Sequence, residues 1–176
     1  RLFLYNYDME RLKNIPCIFL VVLLLKTAGL YGGEFPFLTI SKTHGLPNSM
    51  VMSLCQDSRG FVWVGTPNGL CRFDGHEIKV FGKEDGLASK CIISLLEDWK
   101  GHLWIGTDGG VICFDGKKFT NYGIKEGLIN TSTFCMAFTP DRTLWVGTGS
   151  GLYRFDGERF RVFTEKDGLA SDSIRD

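Results

Sequence analysis

Residues 61–75 of this 176-residue chain read FVWVGTPNGLCRFDG, and the same pattern returns at 102–116 as HLWIGTDGGVICFDG and at 143–157 as TLWVGTGSGLYRFDG. The copies start 41 residues apart and align without insertion. A Gly-Leu pair keeps the same step, from 45–46 to 168–169. Regular self-similarity at a period of roughly 20–50 residues indicates an array of equivalent structural units.

Each unit predicts four short strands. In the first unit, apolar stretches of strand length cover 50–55, 61–66, 69–73 and 77–81, with Asp, Asn and Gly between them. The Asp74-Gly75 pair predicts a two-residue type I′ hairpin, in which both central residues take positive φ. Four antiparallel strands in about 40 residues are typical of a β-propeller blade. The sequence therefore predicts an all-β fold of propeller blades.

The repeat also predicts where the blades begin and end. We expect three full blades at about 45–85, 86–126 and 127–167 and the start of a further blade at 168–176, all within a partial β-propeller over 34–176. Shifting the fourth strand back by one period predicts a lone outer strand at 35–41. Because known rings have about 4–8 blades, we expect a partial ring cut from a longer reading frame. Two chains pairing into six blades is the alternative.

The first 33 residues form a separate region. Ile15–Leu25 is apolar, Arg11 and Lys13 precede it, and small residues allow cleavage after Gly29. Eleven apolar residues are fewer than the roughly 20 that span a bilayer. The pattern predicts a secretory signal peptide and a periplasmic protein, with an uncleaved membrane anchor as the alternative.

Composition excludes several classes of protein. Twenty Lys and Arg are balanced by 20 Asp and Glu, so bulk charge argues against nucleic-acid binding. A hydrophobic content of 44% argues against intrinsic disorder. The five cysteines beyond the signal segment are odd in number and irregularly spaced, which argues against a disulfide framework, and they form no CxxC pair for zinc. These are Cys55, Cys71, Cys91, Cys113 and Cys135.

The repeated residues are predicted to be structural. Mid-strand tryptophans are expected to anchor the core, and the Asp-Gly pairs to form hairpins. Gly-Thr pairs lack the lysine of a phosphate-binding loop and instead suggest close backbone approach. The three histidines lie at different phases of the repeat, so we assign no metal site, cofactor or catalytic residue. The structural positions are Trp63, Trp104, Trp145, Asp74, Gly75, Asp115, Gly116, Asp156 and Gly157.

The pattern GL-x(16)-W-[VI]-G-T-x-x-G-[LV]-x-x-F-D-G, followed by an aromatic residue at Phe81, Tyr122 and Phe163, resembles the two-component regulator propeller repeat. The resemblance extends from Phe35 to Asp176. It implies the periplasmic sensor propeller of a hybrid two-component system, placed before an immunoglobulin-like domain, a membrane helix and a histidine kinase. Many such sensors recognise oligosaccharides. The third unit departs from the pattern, because Pro140-Asp141-Arg142 replaces the Asp-x-x-Gly turn.

Function in propellers is expected where non-repeating loop residues converge. The connections between blades and between the second and third strands share one face, and their polar residues suit a polar ligand such as an oligosaccharide. Ordinary solvated loops are the competing interpretation. The candidates are Asn48, Ser49, Asn68, Lys83, Glu84, Asp85, Ser89, Lys90, Asp108, Lys125, Glu126, Asn130, Thr131 and Ser150.

The leading hypothesis is a non-catalytic sensory module that binds a ligand and passes a conformational change to an output domain. Its partners would be the remaining blades, that output domain, and the membrane only through the signal segment or a downstream helix. The alternatives are an exported propeller enzyme, a hydrolase or lyase acting on polysaccharide, and a scaffold for protein–protein contacts. A homodimer is a further option.

Overall fold

The computed structural model describes residues 40–129 and 132–175, within one compact unit, Thr39–Asp176. Twelve strands in the described ranges form three four-stranded antiparallel sheets, each a simple meander. The predicted all-β propeller fold is confirmed. The signal segment and nearly all of the outer strand lie outside the described residues. The strands are β1 Ser53–Gln56, β2 Val62–Thr66, β3 Gly69–Phe73, β4 Ile78–Phe81, β5 Ile92–Glu97, β6 Leu103–Thr107, β7 Gly110–Phe114, β8 Phe119–Tyr122, β9 Thr133–Phe138, β10 Leu144–Thr148, β11 Gly151–Phe155 and β12 Phe160–Phe163.

Short 3-10 turns connect the sheets. They cover Lys42–His44, Lys83–Asp85, Ile124–Glu126 and Glu165–Asp167. Each is followed by a glycine at φ close to +100°, the left-handed conformation that ends a helical turn at little cost. In the described part of the chain, no helix has the length and apolarity to cross a bilayer.

The three sheets are consecutive blades of one arc. The first strand of each blade packs against the first strand of the next, β1 against β5 and β5 against β9. This arrangement is expected for blades placed around a common axis. Strand β6 is buried along its whole length, because the second blade lies between the first and the third. The described sheets therefore form part of a ring.

An aromatic contact closes each seam between blades. Phe114 of the second blade lies against Trp63 and Phe81 of the first, with ring centroids 5.7 and 5.8 Å apart. One period later, Phe155 lies 5.6 Å from Trp104 and 5.1 Å from Tyr122. We call Phe114 and Phe155 the seam phenylalanines. Offset and edge-to-face aromatic pairs add roughly 0.5–1.5 kcal/mol beyond their burial.

The glycine of each Gly-Thr pair also belongs to a seam. A Cβ added to Gly65 would lie 2.7 Å from Ile92 Cγ2 of the next blade, and one added to Gly106 would lie 2.6 Å from Thr133 Cγ2. No real side chain fits at such distances. The close approach expected from sequence is therefore made by side chains, a serine of the same blade (Ser53 or Ser94) and a residue of the next blade.

The predicted type I′ hairpin at Asp74-Gly75 is wrong. Phe73 pairs with Ile78, so four residues make the connection. Gly75 has φ of +100°, but the single non-glycine residue at positive φ in the described ranges is Arg142. The reason is the Asp74 side chain, whose Oδ1 accepts hydrogen bonds from the amides of residues 76 and 77 at 2.8 and 2.7 Å. Capping both amides stabilises the wider turn.

Candidate ligand-binding rim

The linkers between blades and the β2–β3 type turns meet at one end of the arc. Ser89 in the first linker donates a 2.5 Å hydrogen bond to Asp108 in the β6–β7 turn, and a Cβ added to Gly69 would lie 3.4 Å from Pro47. We call this end the linker rim. It consists of residues 45–52, 82–91, 123–129 and 164–175 and of the turns at 67–68, 108–109 and 149–150.

Two of the candidate carboxylates hold the linkers in shape. Asp85 Oδ2 accepts a 2.9 Å hydrogen bond from the amide of Gly82, and Glu126 Oε2 accepts one of 2.7 Å from Gly123. Asp167 makes the same bond one period later. Asp and Glu can each cap the 3-10 turn. The same hydrogen bond therefore recurs at this repeat position although the residue type changes.

Two further candidates occupy one repeat position with a similar task. Asn48 Oδ1 accepts a hydrogen bond from the amide of Met50 at 2.9 Å, and Ser89 Oγ accepts one from Cys91 at 3.1 Å. Asn and Ser are interchangeable in such turns because both place an oxygen within reach of the amide two residues on. The structure assigns both side chains to linker geometry.

The β2–β3 type turns are held by buried threonines. Thr66 Oγ1 donates to the carbonyl of Gly69 and accepts from the amide of Asn68, and Thr148 binds the Ser150 turn in the same way. The Asn68 side chain is exposed and that of Ser150 half-buried. Asn130 and Thr131 lie outside the described residues. The remaining candidates are all exposed on the linker rim: Ser49, Lys83, Glu84, Lys90, Asp108 and Lys125.

Met50, Val51 and Met52 are exposed on the rim, and so are two apolar side chains of a later linker that sequence reasoning missed. Ile124 and Ile129 are 71% and 74% exposed, in the linker between the second and third blades. The preceding linker has Lys83 and Ala88 at these positions. In the sequence, these two isoleucines are marked only by this departure from the repeat. Attention to polar residues alone does not reveal them. Lys90 and Lys125 are also exposed on this rim.

The repeated tryptophans lie away from this rim. Trp63 Nε1 donates a 2.9 Å hydrogen bond to Asp57 Oδ2, and Trp104 Nε1 donates one of 3.1 Å to Asp98 Oδ2. Thr139 stands at the corresponding place in the third blade. Burial opposes ionisation of Asp57, but the donors from Trp63, Phe61 and Arg59 together hold the pKa of its carboxyl below the usual value.

A cavity of about 410 Å³ lies on the third blade, beside its β9–β10 turn. None of the candidate residues lines it. No group of three or more His, Cys, Asp or Glu in the described ranges is arranged to hold a metal ion, and Cys71, Cys91 and Cys113 are free thiols. The cavity is lined by Thr139, Pro140, Asp141, Thr143, Trp145, Arg154 and Phe163.

Comparisons with known proteins match part of the repeat to a known family. Residues 45–68 match the family model of the two component regulator propeller. A stretch of 48 residues, 27% of this chain and 4% of the relative, is 42% identical to histidine kinase P4 of Formosa agariphila.

Two solved structures share the fold. The extracellular domain of the hybrid two-component system BT3049 of B. thetaiotaomicron is 22% identical, with a TM-score of 0.71 over 78% of this chain and 20% of that domain. The extracellular domain of BT4673 from the same organism is 26% identical, with a TM-score of 0.62 over 72% of this chain and 20% of that domain. The chain thus spans about a fifth of these domains.

Proposed function

Because residues 45–68 match the two component regulator propeller, we propose that this chain is part of the extracytoplasmic, ligand-recognising sensor of a two-component system. The observation that carries the proposal is the family match inside a repeat that the structure forms three times over. The apolar segment Ile15–Leu25 supports export. The named neighbours, which are extracellular domains of such systems, support the same location.

We propose that the role is recognition without catalysis. The repeated carboxylates are occupied by structural hydrogen bonds: Asp74 and Asp115 each cap two amides of a hairpin, and Asp57 and Asp98 hold indole nitrogens. A pair of carboxylates acting on a glycosidic bond needs one acid and one base facing a substrate site. These four groups instead face their own turns.

The ligand class that suits the linker rim is an oligosaccharide. Exposed Lys90 and Lys125 offer hydrogen-bond donors to hydroxyl or carboxylate groups, and exposed Ile124 and Ile129 offer apolar contact to the C–H face of a sugar ring. Ligand sites combine apolar surface with a few polar groups that fix orientation. The residue type at these repeat positions differs from blade to blade. The capping positions, in contrast, keep a side chain that accepts the same hydrogen bond.

The test is a binding measurement on the whole chain with neutral and uronate-containing oligosaccharides, read by saturation-transfer NMR. We expect at least one oligosaccharide class to bind, with loss of at least tenfold in affinity in Lys125→Ala and Ile129→Asp. Lys117→Ala, an exposed lysine of a hairpin at the opposite end, is the matched control. Binding that survives both rim changes, or is lost equally in the control, would contradict a site on this rim.

A further inference from the structure

At the end of the arc opposite the linker rim, three residues that depart from the repeat lie close together. Trp99, in the β5–β6 turn, stands where the corresponding turns carry serine and proline. Arg142, in the β9–β10 turn, stands where both others carry glycine, and Phe138 replaces a glutamine and a glutamate. We call this end the turn end. It consists of the turns at 57–60, 98–101 and 139–142 and of the hairpins at 74–77, 115–118 and 156–159.

These three side chains contact one another across the seam between the second and third blades. The Trp99 and Phe138 rings meet edge to face with their centroids 5.2 Å apart. The Arg142 guanidinium lies over the indole, its Cζ 5.1 Å from the Trp99 ring centroid. The first seam is closed differently, because the amide and hydroxyl of Ser58 donate hydrogen bonds of 2.8–2.9 Å to the Glu97 carboxylate. An aromatic and cationic cluster thus replaces a polar bridge in the second seam.

The cluster stays open to solvent although the turns and hairpins of both its blades are among the described residues. Trp99 is 47% exposed, and Arg142 is exposed as well. Arg142 also has φ of +67°, in the left-handed region that strains any residue with a Cβ. The two corresponding turns avoid this strain with glycine. Neither an exposed indole nor a strained backbone stabilises the fold, and a strained exposed residue of this kind points to a binding role.

The charge at this place is positive, and its donors are available to a ligand. Among the described residues, none accepts a hydrogen bond from the Arg142 guanidinium or forms an ion pair with it. The adjacent carboxylate of Asp141 accepts hydrogen bonds from the hydroxyls of Thr139 and Thr143, at 2.5 and 3.1 Å. Lys100, next to Trp99, is exposed and adds a second cation. A guanidinium presents paired N–H donors that match the two oxygens of a carboxylate.

We propose that Arg142 and Trp99 form a second binding site, at the turn end, for a ligand that carries a carboxylate beside an apolar face. Arg142 binds the carboxylate through paired N–H donors, and the exposed part of the Trp99 ring packs against the C–H groups next to it. A uronate sugar and the C-terminal residue of a peptide both present this chemistry. The site shares no residue with the linker rim, so the proposal stands whether or not the rim binds an oligosaccharide.

The test follows the Trp99 indole N–H signal in ¹⁵N NMR while the whole chain is titrated with digalacturonate or with N-acetyl-leucine, which represents a peptide C-terminus. Galactobiose and N-acetyl-leucine amide, which lack the carboxylate, are the matched neutral ligands. Trp99→Phe identifies the signal, and the completely buried Trp63 is the reference indole. The titrations are repeated in Lys125→Ala, which alters the linker rim and leaves the turn end intact.

We expect at least one carboxylate ligand, and not its neutral counterpart, to shift the Trp99 signal with equal affinity in the unaltered chain and in Lys125→Ala. The ligand that binds identifies the source of the carboxylate. Arg142→Gly, which restores the glycine of the other two turns, should weaken this binding at least tenfold without lowering the urea midpoint, because the backbone strain is relieved. Arg142→Lys should also weaken it, since an ammonium group lacks the paired planar donors.

The proposal is overturned if neither carboxylate ligand shifts the Trp99 signal, if the neutral ligands shift it equally, or if Arg142→Gly binds as tightly as the unaltered chain. A lower urea midpoint in Arg142→Gly would also overturn it, because Arg142 would then be a structural part of the seam. Loss of the Trp99 shift in Lys125→Ala would place the ligand on the linker rim instead. Absence of binding at the rim alone would contradict the proposed function and leave this site unaffected.

Discussion

The indole nitrogen of Trp63 donates a 2.9 Å hydrogen bond to the Asp57 carboxylate, six residues earlier in the chain. Asp57 Oδ1 also accepts from the amides of Arg59 and Phe61. One side chain therefore fixes the β1–β2 turn and the central tryptophan of the blade together. The relationship is repeated by Asp98 and Trp104.

We predict that Asp57→Ala destabilises the fold by about 2–3 kcal/mol, because a buried indole N–H and two turn amides lose their acceptor. Urea unfolding followed by tryptophan fluorescence measures the change. Asp74→Ala, which removes an exposed hairpin cap, is the control and should cost about 1 kcal/mol or less. Equal costs for the two variants would contradict the central role of the Asp57–Trp63 bond.

Stability should fall in acid partly through the same carboxylate. The pKa of Asp57 is lowered in the folded state relative to 3.8, so its ionised form stabilises the fold above about pH 3.8. That contribution is lost as the pH falls through the folded-state pKa. The urea midpoint measured between pH 7 and pH 2.5 should decrease more steeply in the wild type than in Asp57→Asn. Parallel curves would show that Asp57 does not contribute.

We expect Gly65→Ala to be more damaging than Gly60→Ala, although Gly60 has the unusual φ of +90°. At Gly60 the added methyl group meets no atom within 4 Å, so the cost is backbone strain of about 1–2 kcal/mol. At Gly65 the methyl group would collide with Ser53 of the same blade and with Ile92 of the next blade. Thermal unfolding by circular dichroism ranks the two variants, and the reverse order would show that the seam can relax.

The native thiols should differ in reactivity from ordinary cysteine. Burial raises the pKa of Cys71 to about 11. Burial, with the nearby carboxylates of Asp98 and Asp115, raises that of Cys113 to about 12. At pH 8 we expect iodoacetamide to label both at least tenfold more slowly than in urea-unfolded protein, because the thiolate is the nucleophile. Mass spectrometry of tryptic peptides gives the rates, and equal rates would contradict the buried setting.

Much of the fold could be predicted from the sequence because the deciding signals are local and repeated. Strand β2, predicted at 61–66, runs from Val62 to Thr66, since its apolar residues and bounding turns lie within a few positions of one another. The hairpin type was predicted wrongly, and the reason is a hydrogen bond made by a side chain within the turn. The carboxylate of Asp74 caps two amides, and a dipeptide rule that considers only φ angles does not include this.

The candidate site was less predictable. Asn48 and Ser89, or Asp85 and Glu126, look like variable polar residues in the sequence, but each pair makes one recurring hydrogen bond. Chemical equivalence between different residues becomes visible only when the acceptor atom and its donor are located. Ile124 and Ile129 were missed because exposure of an apolar side chain depends on what packs around it.

By itself, the sequence determined the period and the four-strand unit, because a 41-residue step of Gly-Leu, Trp, Gly-Thr and Asp-Gly leaves few alternative folds. The tertiary structure decided which of the three equivalent tryptophans are buried. Trp63 and Trp104 are covered by the seam phenylalanines, and Trp145 lines a cavity. Burial of a repeated residue depends on the neighbouring blade, some 40 residues away, and not on the residue's own surroundings in the chain.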